Sequence, residues 1–393
     1  MIGLLKGVSA LPLEGISGRQ GMLFSSVTLD KFIDEEYRHD RFDLTLNQKR
    51  SLRTLSNGEQ KKALLDYLLD QKPDFLVVDN PFDCLDQRSV EAFKDRLINL
   101  TKTTPVLQIF KRRDDLLPFI THIVNPENNS VKPVQQYIAE NENKNRTGNH
   151  LSIPPALSAP IEIHDPLVEF RNVSVNYGNR KILNNINWTI RKGEFWQLTG
   201  PNGAGKSTLL SMIYGNNPKA FGADLSLFGR QKGSGESVWE IKKKIGYFSP
   251  SSTELFSRRN SAEQMVISGL TDSIGLYKKP TAIQLELAHQ WLNIIKLTNF
   301  SGTPFNQLNQ LHQRLVMIVR AMIKHPPLLI LDEPSTGLDD AGAATLTQLI
   351  NSFANESRTA IIYVSHRKEK GLKPQKILQL SPSEQGSTGT LIN

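Results

Sequence analysis

Gly200-Pro-Asn-Gly-Ala-Gly-Lys-Ser207 is the stretch on which the fold turns. It fits G-x-x-x-x-G-K-[ST], preceded by the strand-like apolar run Phe195 to Leu198 and followed by the helix-like run Thr208 to Ile213. Glycines at 200, 203 and 205 let the backbone curl so that its N–H groups point at phosphate oxygens, and the N-terminus of the following helix adds positive potential. In such a loop Lys206 reaches the β- and γ-phosphates, Ser207 ligates Mg²⁺, and Asn202 and Thr208 line the nucleotide. A glycine-rich turn kept only for packing would not need strand, loop and helix in this order.

Further along, Leu328-Leu-Ile-Leu-Asp-Glu333 is an apolar strand ending in two acids. The first, Asp332, is placed to meet Mg²⁺; the second, Glu333, can polarise an attacking water. His366 follows the next strand-like run, Ile361 to Val364. Tyr177, in VNYGNRKIL, is placed to stack on an adenine ring, with a turn or core role as the alternative.

The acids belong to a repeated segment. TLSNGEQKKALLDYLLDQKPDFLVVDNPFDCLD from Thr54 and QLNQLHQRLVMIVRAMIKHPPLLILDEPSTGLD from Gln307 align under a single offset of 253, which matches Leu55 with Leu308, Gln60 with Gln313, Pro81 with Pro334 and Asp86 with Asp339. Helical spacing runs through Ala63 to Leu69 and Leu315 to Ile323, and buried-strand runs follow at Phe75 to Val78 and Leu328 to Leu331. The chain therefore reads as α/β with mainly parallel sheets, in two domains. Residues 125–166, rich in Asn, Pro, Ser and Glu, read as a linker between domains at 1–124 and 167–393.

Composition agrees with globular domains: 393 residues, 38% hydrophobic and 22% charged. No run reaches the roughly 18 apolar residues of a membrane span, no secretory leader is evident, and Cys84 is the only cysteine, so a cytoplasmic protein is expected. The net charge of +8 admits nucleic acid, anionic lipid or a phosphorylated ligand. Its two basic runs, Lys111 to Arg113 and Lys242 to Lys244, are short and lack interleaved aromatics, which reads as solvated surface and makes direct nucleic-acid binding the weaker expectation.

Taken together the motifs resemble the ATP-binding cassette (ABC) ATPases, here as tandem P-loop NTPase domains in one chain, each with a helical arm. The family signature LSGGQ is approached by Leu55-Ser-Asn-Gly-Glu-Gln60, and the family's loop after Asp-Glu by Ser335-Thr-Gly-Leu-Asp339. The paired domains and the stretch ISGLTDSIGLY from Ile267 resemble the ModF-like branch, associated with molybdate uptake. The resemblance implies ATP and Mg²⁺ as cofactors, catalysis by Glu333 and His366, and a membrane permease supplied by another chain, with peripheral association at the inner membrane face.

Both halves depart from the family pattern. Met1-Ile-Gly-Leu-Leu-Lys6 resembles the start of the helix after a phosphate loop, so that loop is expected either upstream or lost; Asn80 replaces the catalytic Glu and Lys111 stands where His366 stands in the second half. In the second half, Leu308-Asn-Gln-Leu-His312 lacks the signature serine and glycines, and Pro250 takes the place of a glutamine that normally contacts Mg²⁺ and water. Because family members work as head-to-tail sandwiches, Ser56, Asn57 and Gly58 are expected to complete one site on Lys206. A soluble ABC protein acting on ribosomes or nucleic acid is the alternative, less favoured because that branch has a long charged helical interdomain segment and two intact sites.

Overall fold

The computed structural model describes residues 18–45, 50–83, 85–101, 103–126, 130–142, 152–157, 164–256, 259–367 and 369–392. The expectations for Met1 to Lys6 and for Cys84 lie outside these residues. The chain divides into two compact units, Met1–Thr147 and Gly148–Asn393.

In the first unit, β1 (Gly21–Phe24), α1 (Ser26–His39), α2 (Asn57–Asp70), β2 (Phe75–Asp79), α3 (Gln87–Leu100) and β3 (Val106–Ile109) form a parallel sheet of order β1-β2-β3 with its helices. Helix α2 starts at Ser56 because Ser56 and Glu59 form a reciprocal capping box, and it buries Leu64, Leu65 and Leu68 on one stripe. Leu76 and Val78 of β2 are fully buried beside Phe24 and Leu97. After β4 (His122–Asn125) come β5 (Ser130–Pro133), antiparallel to it, and α4 (Val134–Glu142). β5 and α4 lie within residues 125–166, the stretch expected as a linker. Val134, Tyr137 and Ile138 stand at helical spacing over a single turn, and Tyr137 packs edge-on against Phe110, 6.2 Å between ring centres.

In the second unit, β6 (Val168–Tyr177) and β7 (Arg180–Ile190) precede β8 (Phe195–Thr199) and α5 (Lys206–Ile213). Then follow β9 (Leu225–Leu227), β10 (Arg230–Gln231), α6 (Val238–Lys243) and β11 (Ile245–Phe248), the helical arm α7 (Ala262–Ser268) and α8 (Ala282–Ile294), and α9 (Gln310–Met322). Last come β12 (Leu328–Asp332), α10 (Asp340–Glu356), β13 (Ala360–Val364), β14 (Lys376–Ser381) and β15 (Thr388–Ile392). The main sheet has order β11-β12-β13-β8-β14-β15, parallel up to β14 with β15 antiparallel at its edge, and a separate antiparallel sheet has order β10-β9-β6-β7.

The main sheet is covered on both faces. Leu329, Leu331, Ile361 and Tyr363 point into the core under the helical arm, and Leu328, Ile330, Ile362 and Val364 into the core shared with the antiparallel sheet. Topology then places the site: β12, β13 and β8 are neighbours and parallel, so the loops leaving their carboxyl ends lie side by side.

Candidate functional site

The turn after β8 has the shape its glycines predict. Gly200, Gly203 and Gly205 have φ of 147°, 78° and 93°. A Cβ on Gly205 would also sit 2.6 Å from Leu183 Cδ2, and one on Gly200 2.8 Å from the Leu380 carbonyl oxygen, so close packing as well as conformation demands glycine there. Lys206, buried in the first turn of α5, donates through Nζ to the Gly200 carbonyl at 2.6 Å and the Pro201 carbonyl at 3.0 Å. A phosphate oxygen is a stronger acceptor than either carbonyl. Asn202, Gly203 and Ser207 are exposed at the loop and helix start, and Thr208 is half-buried.

Asp332 and Glu333 close β12 beside this loop, and Lys206 acts electrostatically on both. Burial, reinforced by Glu333, pushes the Asp332 carboxyl up to about 6. Glu333 goes the other way: its hydrogen bond with His366 holds it below the usual carboxylate range, with further help from Lys206 and Thr336. His366 Nδ1 lies 3.1 Å from Glu333 Oε1, and Thr336 Oγ1 lies 3.4 Å from Oε2. An ionised carboxylate only accepts, so Nδ1 carries the proton; His366 Nε2 is buried without a partner among the described residues. The neighbouring acids are thus set to different tasks, a proton-prone Asp332 and an ionised Glu333 able to accept a proton from water.

Glu333 has a φ of 50°, which a non-glycine residue adopts only under constraint. Asn80, its match in the first unit, has a φ of 43°. The turn is therefore repeated although Asn80 lacks a basic carboxylate.

The remaining expected residues fall as follows. Ser56 caps α2, its Oγ accepting from the Glu59 N–H at 3.4 Å while donating to Glu59 Oε2 at 2.8 Å; Ser56 and Asn57 are exposed, and Gly58 is half-buried in the first turn. Asn309, at the matching position, caps α9 by accepting from the His312 N–H at 2.8 Å. Tyr177 is 44% exposed, with its hydroxyl accepting from Asn217 at 2.8 Å and the Lys219 ammonium over its ring, 6.0 Å from the centre. Ser249, before Pro250, is buried and bonded to Ser251 and Ser252. Sequence reasoning missed Tyr247, whose hydroxyl donates to Asp332 Oδ2 at 3.4 Å and whose ring stacks on Tyr214 at 4.7 Å. Only the pairing of β11 with β12, which sets Tyr247 opposite Ile330, brings it there.

Comparison with known proteins is consistent with this geometry. The family described as ABC transporter matches residues 183–336. The ABC transporter ATP-binding protein ModF of Escherichia coli (strain K12) is 36% identical over 342 residues, 84% of this chain and 70% of the relative. An uncharacterized ABC transporter ATP-binding protein of Schizosaccharomyces pombe is 31% identical over 329 residues, covering 81% of this chain and 66% of the relative. Among solved structures, a part of an ABC transporter complex from Clostridium perfringens superposes with a TM-score of 0.49 at 23% identity, over 57% of this chain and 87% of that one. Among the described residues no helix is long and apolar enough to cross a membrane. The chain belongs to the ABC transporter ATP-binding proteins, in their ModF-like branch, and is an ATPase.

Proposed function

We propose that the second unit binds Mg·ATP through Gly200 to Thr208, with Tyr177 against the adenine, and hydrolyses it with Glu333 as the group that polarises water and His366 as its partner. Ser207 and Asp332 would hold Mg²⁺; this all-oxygen set suits a small hard cation that takes its other ligands from phosphates and water. When bound, the ion neutralises charge developing on the phosphates. Before the ion can bind, Asp332 must lose its proton, and Lys206 favours that loss. Donation from His366 Nε2 to a phosphate requires the imidazolium, since Nδ1 is already committed to Glu333.

The observation that carries this reading is the pairing of an ionised, left-handed Glu333 with His366 beside a complete phosphate loop. The signature residues Ser56, Asn57 and Gly58 of the first unit are read as nucleotide-contacting, because Leu308-Asn-Gln-Leu-His312 of the second lacks the serine and glycines that let a backbone approach a phosphate. The working cycle energises a separate membrane permease, with molybdate or another small solute as cargo, and places the chain in the cytoplasm at the inner membrane face. ATPase assays on Ser56→Ala, Gly58→Asp and Asn309→Ala test the site. The first two lower turnover roughly 10²-fold, the loss typical of one donor to developing charge, and the third changes little. Full turnover by Gly58→Asp would show that the signature serves no nucleotide. Sedimentation of the chain with membranes of its own cells, but not with protein-free vesicles of the same lipids, tests the partner.

A further inference from the structure

Two cations at matching positions make the same contact. Lys61 in α2 and Arg314 in α9 correspond under the offset of 253 that aligns the repeats, as do Pro81 and Pro334. Lys61 Nζ donates to the carbonyls of Pro81 at 2.9 Å and Asp83 at 2.6 Å. Buried Arg314 donates through Nη1 to the Pro334 carbonyl at 2.6 Å. Each proline follows the positive-φ residue of its turn, Asn80 or Glu333. The turns share their other bonds as well. Asn80 N–H donates to the Ile109 carbonyl and Glu333 N–H to the Val364 carbonyl, both at 2.9 Å, while the carbonyls of Asn80 and Glu333 accept from the N–H groups of Asp83 and Thr336.

A residue before proline is driven by steric clash toward extended conformations. A positive φ there persists only where the surroundings over-determine it. Proline has no N–H, so its carbonyl is the one backbone hydrogen-bonding group by which the turn can be gripped at that position. We infer that Arg314 is a positioning residue for ATP hydrolysis: by holding the Pro334 carbonyl it keeps Glu333 in the left-handed turn that sets its carboxylate against His366. Lys61 holds the matching turn of the first unit. This rests on the assignment of Glu333 as the group that polarises water.

The persistence of the grip around Asn80, which has no carboxylate, shows that it serves the backbone. The electrostatic environment of Glu333 agrees, since the groups that lower its carboxyl are His366, Lys206 and Thr336. On the far side of the turn, Ser335 donates to buried Glu369 and accepts from Tyr363 at 3.3 Å. Neither bond has a side-chain equivalent at Phe82, the match of Ser335. Arg314 thus supplies the part of the support common to both units.

Steady-state ATPase measurements on the full chain test the inference, using Arg314→Met, Arg314→Lys, Glu333→Gln and the double variant Arg314→Met with Glu333→Gln. Arg314→Met lowers kcat about 10–100-fold, the scale of a misplaced catalytic group, and leaves KM for Mg·ATP within about twofold. Arg314→Lys retains most of the turnover, because lysine makes this contact in the first unit. In the Glu333→Gln background Arg314→Met causes no further loss. The inference fails if Arg314→Met costs the same factor in both backgrounds, if it raises KM at unchanged kcat, or if Arg314→Lys is as slow as Arg314→Met. Should Arg314→Met not fold, Arg314→Leu, which likewise offers no N–H to the carbonyl, takes its place in the same comparisons. Wild-type turnover by Glu333→Gln alone would overturn the base assignment and the inference with it. A normal Arg314→Met beside an inactive Glu333→Gln would overturn the grip only.

Discussion

Asp332 is caught between folding and function. Its carboxyl is pushed up to about 6 from a usual value of 3.8, so the folded chain binds this proton more tightly than the unfolded chain does. Stability from this group is therefore fully present below the usual value and declines as pH rises through about 6. Asp332→Asn should raise the melting temperature of the nucleotide-free second unit at pH 8, by about 2–4 °C for each kcal/mol relieved in a domain of this size. The difference should vanish near pH 4, and the variant should lose Mg²⁺-dependent ATP binding; a gain that persists unchanged at pH 4 would mean charge burial is not the cause. At Glu333 the expectation concerns rate. Glu333→Gln should bind ATP and turn it over about 10²–10⁴-fold more slowly, the range for loss of a general base, whereas Asn80→Ala should leave turnover nearly unchanged. Comparable losses from both would place chemistry in the first unit. Lys206→Ala removes a charge-assisted contact worth on the order of 1.5–3 kcal/mol, so ATP affinity in a binding titration should fall about tenfold or more.

At the scale of elements, α2 and α9 begin with the same architecture and different chemistry. Both are capped by a side chain at the same repeat position, Ser56 and Asn309, and both place a glutamine at the next turn to bond a carbonyl behind the cap: Gln60 to Leu52 at 2.7 Å and Gln313 to Phe305 at 3.0 Å. The caps explain why a degenerate signature still starts a helix, since asparagine caps as well as serine. Gly58 separates structural from functional demand. A Cβ there would meet Leu85 and Ser89 at 3.7 and 3.8 Å, which are ordinary contacts, and its φ is not among the positive ones. Gly58→Ala should therefore stabilise the first unit, by up to about 1 kcal/mol from helix propensity, while lowering ATPase activity if a phosphate approaches that backbone. Chemical denaturation together with an ATPase assay reads both effects; an unchanged turnover would indicate that no ligand comes close to Gly58.

For the whole molecule, ligand linkage offers a test. Mg·ATP at 100 times its Kd stabilises the unit that binds it by about 2.7 kcal/mol, so the calorimetric transition of the second unit should move up, and at the same concentration that of Lys206→Ala should move by about half as much or less. A shift confined to the second unit in wild type and in Ser56→Ala alike would argue that the signature of the first unit is not used.

Local sequence carried the phosphate loop, because it is contiguous and each glycine answers a conformational or packing demand within it. It also carried the repeat, the strands β2 and β12 with their terminal acids, and the helices α2 and α9, whose signals are short apolar runs and caps. Folding was needed for features that depend on neighbours far apart in the chain. The His366 bond to Glu333 and the approach of Tyr247 to Asp332 come from the order of strands β11, β12 and β13. The strand and helix at 130–142 lay hidden in a polar composition because the helical spacing of Val134, Tyr137 and Ile138 spans only one turn. The sign of φ at Asn80 and Glu333 could not be read from the sequence, since each precedes a proline, which drives a residue toward extended backbone. That conformation, and with it the different proton affinities of the adjacent Asp332 and Glu333, was decided by the tertiary structure, since burial, hydrogen-bond partners and the grip of a distant cation exist only once the strands and helices have packed.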